Sequence, residues 1–302
     1  MQLGFAVPVS GSWATPHNCA EIATRAEELG YTSLWAFQRL LSPLEGDRER
    51  LAPQYRSVHE PLSVLAFLAG KTSRARLGVA VVNAPYSAPI VLAKALTTID
   101  HLSGGRLDVG IGIGWLREEF EAAGAPYEAR GARAEDFLRC LSAIWADEVV
   151  DYQGVFYRVP RSRIDPKPVQ RPHPPVLLGG GARAALRRAG RLSSGWISSS
   201  QADLAHIDQS IEVVRSAARD AGRDAEGLRF VCRGVVRVRA AERAPLVGSL
   251  HQIRGDLVNL AAAGVTETFL DLNFDPEIGS PGADPVVSMR RAHEALEALA
   301  PR

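Results

Sequence analysis

Short apolar segments alternate with segments of helical periodicity along most of this 302-residue chain. The apolar segments predict eight strands, at residues 3–9, 33–37, 76–82, 106–113, 176–178, 196–199, 228–238 and 266–272. Amphipathic segments predict a helix after each strand, at residues 17–29, 60–71, 89–102, 132–145, 182–192, 204–221, 249–263 and 285–299. Repeated strand–helix units predict an α/β fold with a parallel sheet. Eight such units favour a closed (β/α)8 TIM barrel over the alternative, an open doubly wound sheet.

The alternation is interrupted once, after the fourth strand–helix unit. Residues 149–152 and 155–157 predict a β-hairpin that turns at Gln153 and Gly154. A proline-rich connection follows, and its restricted backbone is typical of an ordered excursion rather than a flexible linker. We therefore expect one barrel domain over residues 1–302, with an insertion segment at about residues 149–175. Elsewhere, the polar stretch 38–57 predicts a long loop after the second strand.

Composition and charge argue against several classes of protein. Lys and Arg number 35 and Asp and Glu number 34, a net charge of +1. Broad nucleic-acid binding needs a basic surface, so this balance predicts no nucleic-acid partner. The chain has neither an apolar run long enough to cross a membrane nor a basic leader, which predicts a cytoplasmic protein without membrane contact. Three widely spaced cysteines without a CxxC pair indicate buried free thiols.

Two glycine-rich stretches follow predicted strands, where a barrel carries its functional residues. Residues 179–181 are Gly-Gly-Gly directly before a predicted helix, a pattern that suits a phosphate, with Ser198 beside it on the next strand. A plain glycine turn explains the pattern about equally well. Gly112 lies in a GxGxG run that ends the fourth strand. The run lacks the GxGxxG dinucleotide spacing, and it either lets a flat ring approach the backbone or meets a packing requirement.

Other catalytic patterns are weak or missing in the sequence. No histidines stand at metal-ligand spacing, the HExxH pattern is not met at His293, and no GxSxG elbow occurs, so we expect no metal site. Glu118 and Glu119 are adjacent acids that could suggest a glycosidase pair. A solvated helix start, where acidic residues are favoured, is the stronger interpretation of these two glutamates.

Several stretches become specific when they are taken as a set. They are residues 30–35 (GYTSLW), 93–107 (AKALTTIDHLSGGRL), 110–115 (GIGIGW), 118–120 (EEF), 154–157 (GVFY), 166–170 (PKPVQ) and 179–181 (GGG). As a set they resemble the luciferase-like monooxygenase superfamily. The likeness runs from residue 3 to about residue 200, and beyond that point it rests on the strand–helix pattern alone.

The resemblance implies a bacterial luciferase-like barrel with an insertion, usually a homodimer, that acts on a small-molecule substrate. It also implies a flavin-type ring at the carboxyl ends of the strands. Within the superfamily the chain looks most like oxidoreductases that use coenzyme F420, a deazaflavin and obligate hydride carrier. FMN is the alternative cofactor. In either case the protein's task is to hold the ring open to substrate and to orient it.

The family pattern places particular residues around the ring. It implies a non-proline cis peptide between Ala80 and Val81, behind the ring, with Asn83 near the polar edge of the ring. It implies that the coenzyme phosphate is bound by Gly179, Gly180 and Gly181, with Ser198 beside them. Gln38, which stands where relatives carry an acid, and Gly112 complete the expected cofactor-binding set.

One position departs from the family pattern. Relatives commonly have an acid followed by His after the second strand, and here these positions are Gln38 and Arg39. Arg39 keeps its charge, so the sequence predicts an electrostatic partner for ring or substrate, with Glu118 as the alternative group for moving a proton. The expected substrate pocket is lined by Trp13, Tyr86 and Trp115, although core packing explains each aromatic residue at least as well.

Three functions remain open from the sequence. The first is hydride transfer between F420 and a small organic substrate. The second is an FMN-dependent monooxygenase or reductase on the same fold. The third is a non-catalytic protein that stores or shields a flavin or deazaflavin, an option kept open by the altered Gln38–Arg39 pair.

Overall fold

The computed structural model of the chain describes residues 1–44 and 51–301. Its strands are β1 (Gln2–Ala6), β2 (Ser33–Ala36), β3 (Arg76–Asn83), β4 (Leu107–Gly112), β5 (Val150–Gln153), β6 (Arg158–Ser162), β7 (Val176–Gly179), β8 (Gly195–Ile197), β9 (Arg229–Val235), β10 (Arg237–Val238), β11 (Val247–Gly248) and β12 (Glu267–Asp271). Eight of them form a closed parallel barrel in the order β1, β2, β3, β4, β7, β8, β9, β12. The predicted (β/α)8 barrel is confirmed, and the open sheet is wrong because β12 pairs with β1.

Helices connect the barrel strands and cover the outside of the barrel. They are α1 (Pro16–Glu28), α2 (Pro61–Ala69), α3 (Pro89–Leu102), α4 (Arg117–Ala122), α5 (Arg130–Ala146), α6 (Arg183–Leu192), α7 (Ile207–Asp220), α8 (Leu250–Ala262), α9 (Pro276–Gly279) and α10 (Pro285–Ala298). Helix starts follow local chemistry: Thr15 and Asp284 cap the proline-led α1 and α10, and Ser249 forms a capping box with Gln252. The short helix α9 was not predicted, and α4 contains Glu118 and Glu119, which the sequence analysis interpreted as a helix start.

The hairpin of the insertion has a different register from the predicted one. The second strand was expected at residues 155–157, but β5 pairs with β6 at Arg158–Ser162. The Asp136 carboxylate on α5 explains the shift, because it accepts hydrogen bonds from the backbone N–H groups of Phe156 and Tyr157. These two residues therefore form the turn, and pairing begins only beyond them.

The predicted strand 228–238 is divided in two. β9 ends at Val235, and the backbone N–H of Arg237 donates to the carbonyl of Leu246 instead of to a barrel strand. β10 therefore leaves the barrel and forms a small parallel sheet with β11. Within the predicted loop 38–57, residues 45–50 lie outside the described residues, and a 3-10 turn at Pro53–Arg56 brings the chain back to the barrel.

The barrel interior is layered from its amino-terminal end to its carboxyl-terminal end. At the amino-terminal end Arg76, Asp108, Arg229 and Glu267 form what we call the lower cluster. The Asp108 Oδ1 atom lies 2.7 Å from a guanidinium nitrogen of both arginines, and Arg229 also donates to Glu267 at 2.8 Å. Burial alone would raise the pKa of Asp108, but the hydrogen bonds from Arg76 and Arg229 outweigh burial and hold this pKa below its usual range.

An apolar layer fills the middle of the barrel above the lower cluster. It consists of Ala6, Trp35, Ala80, Leu177, Ile197, Val231 and Phe269. The rings of Trp35 and Phe269 stack with centroids 5.0 Å apart. This layer fills the barrel below its carboxyl-terminal end, where barrels of this kind bind their ligands.

Two further findings concern the described part of the chain. Its helices include none with both the length and the apolarity that a membrane span requires. It also brings no three His, Cys, Asp or Glu side chains together in an arrangement suited to a metal ion. All three cysteines are buried and free, and burial raises the pKa of Cys19 and of Cys232 to about 12.

Candidate active site

A cavity of about 250 Å³ opens at the carboxyl ends of the barrel strands. The predicted site residues that line it are Gln38, Arg39, Ala80, Val81, Asn83, Gly112, Trp115, Gly179, Gly180 and Ser198. The lining residues that the sequence analysis missed are Phe37, Tyr55, Ile113, Gly114, Ile197, Ser199, Ser200 and Arg233. The structure thus gathers most of the predicted residues at one place, while their roles toward a ligand stay predictions.

The wall of the cavity is formed where β3 passes the glycine-rich ends of β4 and β7. A Cβ atom on Gly112 would lie 2.5 Å from Val81 Cγ2, and one on Gly179 would lie 3.0 Å from Val81 Cγ1. Both glycines are therefore needed to make room for Val81. The peptide between Ala80 and Val81 is cis, as the family resemblance implied.

Two side-chain amides form one corner of the cavity. Gln38 Oε1 accepts hydrogen bonds from the backbone N–H and from the Nδ2 group of Asn83, at 2.9 and 3.2 Å. Asn83 Oδ1 in turn accepts from the backbone N–H of Gly114 at 2.9 Å. Each amide nitrogen carries two hydrogens, so the Nε2 group of Gln38 and the second N–H of Asn83 Nδ2 are the amide donors left for a ligand at this corner.

Arg39 stands beside this corner in a buried ion pair that the sequence did not reveal. Its Nη1 atom lies 3.2 Å from Glu119 Oε2, and the two side chains are only 6% and 3% exposed. Tyr55 and Trp115 lie 4.3 and 5.0 Å from the guanidinium carbon, measured to their ring centroids. These contacts hold one face of a planar cation against aromatic rings at the cavity edge.

Glu119 is fixed by two further donors. Its carboxylate accepts from the backbone N–H of Leu40 at 2.7 Å and from the Tyr86 hydroxyl at 3.1 Å. Burial, and then the Glu119 carboxylate, raise the pKa of Tyr86 above its usual value, so its phenol keeps its proton. The prediction for Glu118 is corrected here: that side chain is exposed and lies outside the cavity lining, since neighbouring helix positions point about 100° apart.

Arg233 is the second charged residue in the lining. Its Nε donates to Asp271 at 2.7 Å and its Nη1 to the Ala80 carbonyl at 3.2 Å, across the barrel mouth. Its guanidinium carbon lies 4.3 Å from the ring centroid of Phe274. An arginine in the middle of an apolar predicted strand was the sequence signal for this residue, because a buried charge inside a barrel needs a partner.

The predicted phosphate-binding segment lies on the opposite side of the cavity. Gly180 has a φ of +121°, and its carbonyl accepts from Trp196 Nε1 at 2.8 Å. Ser198 Oγ accepts from the backbone N–H of Arg233 at 2.9 Å, which leaves the hydroxyl hydrogen as a donor. Gly181 is not part of the lining; it precedes the first turn of α6.

The three aromatic residues expected in a substrate pocket have different positions. Trp115 lines the cavity and is 57% exposed. Tyr86 is outside the lining, but its hydroxyl lies beside Gly114 of the lining and donates to Glu119. Trp13 is a correction, because it is fully buried in the hydrophobic core between barrel and helices and does not reach the cavity.

Solved structures with the same fold are found among oxidoreductases. Monooxygenase RslO1 from Streptomyces bottropensis has a TM-score of 0.77 at 22% identity, and covers 99% of this chain and 98% of its own. The coenzyme F420-dependent tetrahydromethanopterin reductase from Methanopyrus kandleri has a TM-score of 0.75 at 16% identity, with the same coverage. At these identities the likeness establishes the fold.

Sequence comparison establishes the family. An uncharacterized protein of Mycobacterium tuberculosis is 32% identical over 233 residues, 74% of this chain and 80% of that protein. The FMNH2-dependent dimethylsulfone monooxygenase of Pseudomonas putida is 31% identical over 210 residues, 68% of this chain and 54% of that enzyme, so the chain spans about half of its length. The family model for luciferase-like monooxygenases matches residues 3–267. The chain therefore belongs to the luciferase-like monooxygenase family of oxidoreductases.

Proposed function

We propose that this chain is an oxidoreductase that transfers a hydride between coenzyme F420 and a small organic substrate. The observation that carries the proposal is the cavity at the carboxyl ends of the strands, which has an apolar floor and wall with polar donors at one corner. That combination suits a flat ring with one polar edge. The deazaflavin, when bound, would supply or accept the hydride.

The floor and wall fit the face of such a ring. Ala80, Val81 and Ile197 give apolar surface, and the glycine ends of β4 and β7 carry no side chains that would obstruct it. Gln38 Nε2 and the Arg39 guanidinium stand together at one corner as hydrogen-bond donors. In this arrangement the two side chains orient the polar edge of the ring, so its reactive face remains turned to substrate.

We place the coenzyme phosphate at the other end of the cavity. Gly180 and Gly181 lead into α6, whose first backbone N–H groups lack partners within the helix. The Ser198 hydroxyl, with Ser199 and Ser200 after it, adds donors on the neighbouring strand end. Together these groups can neutralise a phosphate without a lysine.

The cavity lining favours electrostatic stabilisation of charge over general acid–base catalysis. Among the described residues it contains two arginines but no carboxylate and no histidine. Arg39, held by Glu119, is therefore our proposed catalytic group, which stabilises negative charge on ring or substrate. Its role follows from its fixed positive charge and from its place at the cavity edge.

Coenzyme titration tests the proposal. Purified protein is titrated separately with F420 and with FMN, and binding is followed through the absorbance and fluorescence of each ring. We expect saturable F420 binding that is tighter than FMN binding. Tight FMN binding with no F420 binding would overturn the assignment to F420.

A variant at the glycine segment tests the phosphate placement. Gly180→Asp is a poor probe, because a Cβ there would lie 2.9 Å from Ala185 Cβ and φ is positive. Gly181 is open, with no atom within 4 Å of a Cβ. Gly181→Asp should weaken binding of the phosphate-bearing coenzyme at least about tenfold through charge repulsion, whereas Gly181→Ala should not. Equal coenzyme affinity of the Gly181→Asp and Gly181→Ala variants would contradict the placement of the phosphate beside Gly181.

FMN-dependent oxygenation is the second candidate, and one finding favours it. The dimethylsulfone monooxygenase at 31% identity is named as FMNH2-dependent. If the same titration gives FMN binding alone, oxygen consumption with reduced FMN and candidate substrates becomes the next measurement. A storage protein would instead keep bound reduced coenzyme unchanged in the presence of a broad panel of acceptors.

The assembly predicted from the resemblance is a homodimer. Light scattering on the purified chain should give twice its mass of 32.5 kDa. A monomer mass at micromolar concentration would contradict this proposal without affecting the coenzyme assignment.

A further inference from the structure

A second cavity of about 260 Å³ lies beside the first, and we call it the side chamber. The two cavities share Ser199, Ser200 and Arg233 in their linings, so they adjoin at the end where we place the coenzyme phosphate. The remaining wall comes from the loop after β8, from the end of β9 and from the segment that leads into β11. Most of this wall is apolar, as Leu204 and Val247 illustrate.

Among the described residues, no carboxylate forms an ion pair with Arg237, a cation of the side chamber. Arg233 and Arg239, on either side of it in the chain, are paired with Asp271 at 2.7 Å and with Asp275 at 2.6 Å. Arg237 instead donates to the Phe274 carbonyl at 3.3 Å, and its buried Nε atom has no hydrogen-bond partner among the described residues.

The carboxylate of Asp203 in the chamber lining is paired with His206 rather than with Arg237. Asp203 lies at an exposed position, and its Oδ2 atom is 2.8 Å from His206 Nδ1. An arginine whose buried nitrogen has neither acceptor nor counter-ion is costly in a folded protein. A site next to a ligand cavity can supply the missing acceptor through the ligand.

We propose that the side chamber binds a carboxylate group of the ligand that occupies the adjoining cavity, with Arg237 as its partner. The inference rests on the proposed function, and the coenzyme is the favoured source of the carboxylate. F420 continues beyond its phosphate into a lactyl and glutamyl tail, whereas FMN ends at the phosphate. The chamber begins at the phosphate end, and its apolar wall with one guanidinium matches a chain of methylene groups and carboxylates.

Binding measurements on an Arg237→Gln variant test this assignment. The two ligands are F420 and the deazaflavin 5′-phosphate, which has the same ring and phosphate and nothing beyond them. Loss of a charge-assisted hydrogen bond should weaken F420 binding about tenfold in the variant and leave the tail-less ligand unchanged. Arg237→Lys should restore part of the difference. Arg290→Gln, which removes the same charge from an exposed position on α10, is the matched control and should change neither affinity.

A second variant guards against effects on folding. Ala205 is an exposed residue of the chamber wall, so Ala205→Asp adds a negative charge there with little risk to the core. It should weaken F420 binding and spare the tail-less ligand. Unchanged F420 affinity in both variants would overturn the inference, unless the binding of a substrate carboxylate depends on Arg237.

The second source of a carboxylate is the substrate. With the tail-less deazaflavin bound, the protein is titrated with succinate as a simple dicarboxylate probe. Succinate binding that disappears in Arg237→Gln assigns the chamber to a substrate anion, and no response to Arg237 in either titration refutes the proposal. If the wild-type protein binds no flavin-type ring at all, the proposed function itself fails. If the protein binds F420 and Arg237→Gln changes neither the F420 affinity nor the succinate affinity, only the side chamber assignment fails.

Discussion

Two arginine–carboxylate clusters stand at opposite ends of the same barrel, and two strands contribute to both. β9 gives Arg229 to the lower cluster and Arg233 to the mouth, while β12 gives Glu267 and Asp271. The members on each strand are four positions apart, so both point into the barrel, with an apolar layer between them. Similar pairs are therefore placed in two different environments.

The two clusters differ in whether a member of the ion pair borders a cavity. In the lower cluster the buried Asp108 is enclosed by Arg76 and Arg229. At the mouth the carboxylates Glu119 and Asp271 lie behind, and the guanidinium groups of Arg39 and Arg233 form the cavity wall. The lower arrangement uses charge to fasten strands together, whereas the upper one presents cations to a ligand. Variants that remove one carboxylate from each cluster should separate these two uses.

The largest effect is expected from Asp108→Asn. Removing the charge leaves Arg76 without its counter-ion and Arg229 with Glu267 alone at the closed end of the barrel. We expect the free energy of unfolding to fall by about 3–5 kcal/mol, measured by urea denaturation. The protein that remains folded should bind coenzyme with unchanged affinity, because the apolar layer separates Asp108 from the cavity. Strongly reduced affinity in the folded fraction would contradict the division between the two ends.

Acid titration examines the same residue through its lowered pKa. A carboxylate whose folded pKa lies below its unfolded value adds stability above the unfolded pKa, and this stability is lost as pH falls through the folded pKa. Wild-type stability should therefore drop on acidification below about pH 4, and Asp108→Asn should show a shallower drop. Parallel curves for the two proteins would show that other groups govern acid unfolding.

A smaller effect is expected from Glu119→Gln at the mouth. Arg39 would lose its counter-charge, but it borders a cavity that water can enter, so we expect a loss of about 1–3 kcal/mol in unfolding free energy. Coenzyme affinity should fall as well, because Arg39 would no longer be held in place. This differs from the pattern expected for Asp108→Asn, in which stability falls further and affinity does not change.

The adjacent glutamate provides the control for that experiment. Glu118 is exposed and does not line the cavity, so Glu118→Gln should change neither stability nor affinity. Equal effects of Glu118→Gln and Glu119→Gln on stability and affinity would contradict our proposal that Glu119 holds Arg39 in place. Denaturation curves and ring fluorescence titrations, taken on the same preparations, measure both quantities.

The sequence pattern predicted the fold because the buried barrel strands give short apolar runs and each long helix has a buried face. The hairpin register and the division of residues 228–238 escaped prediction for a shared reason. Both depend on hydrogen bonds between different segments of the chain. The backbone N–H groups of Phe156 and Tyr157 donate to Asp136, and that of Arg237 donates to the carbonyl of Leu246. Local pattern carries no information on such partners.

The parts of the site that depend on backbone shape could be predicted from the sequence. The parts that depend on which side chains pair or pack together could not. The glycine ends of β4 and β7 and the cis peptide at Ala80–Val81 were placed through the family resemblance. The choice between Glu118 and Glu119 depends on which face of a six-residue helix packs inward, and a helix that short gives too few positions to set a phase. Trp13 was misplaced because an aromatic residue after a strand can point to the core as readily as to a cavity.

The smallest effect at the mouth of the barrel is expected from Tyr86→Phe. The substitution removes one donor at 3.1 Å from Glu119, which keeps Arg39 and the Leu40 backbone as partners, so we expect a loss of about 0.5–1.5 kcal/mol. Since burial and the Glu119 carboxylate raise the pKa of Tyr86, the phenol is neutral in the working range, and the pH profile of coenzyme binding between about pH 6 and 9 should keep its shape. A Tyr86→Phe and Glu119→Gln double-mutant cycle measures the coupling between the two residues. Simple additivity of the two losses would show that Tyr86 packs beside Glu119 without holding it. A pH profile that shifts with Tyr86→Phe would show that the phenol gives up its proton in this range.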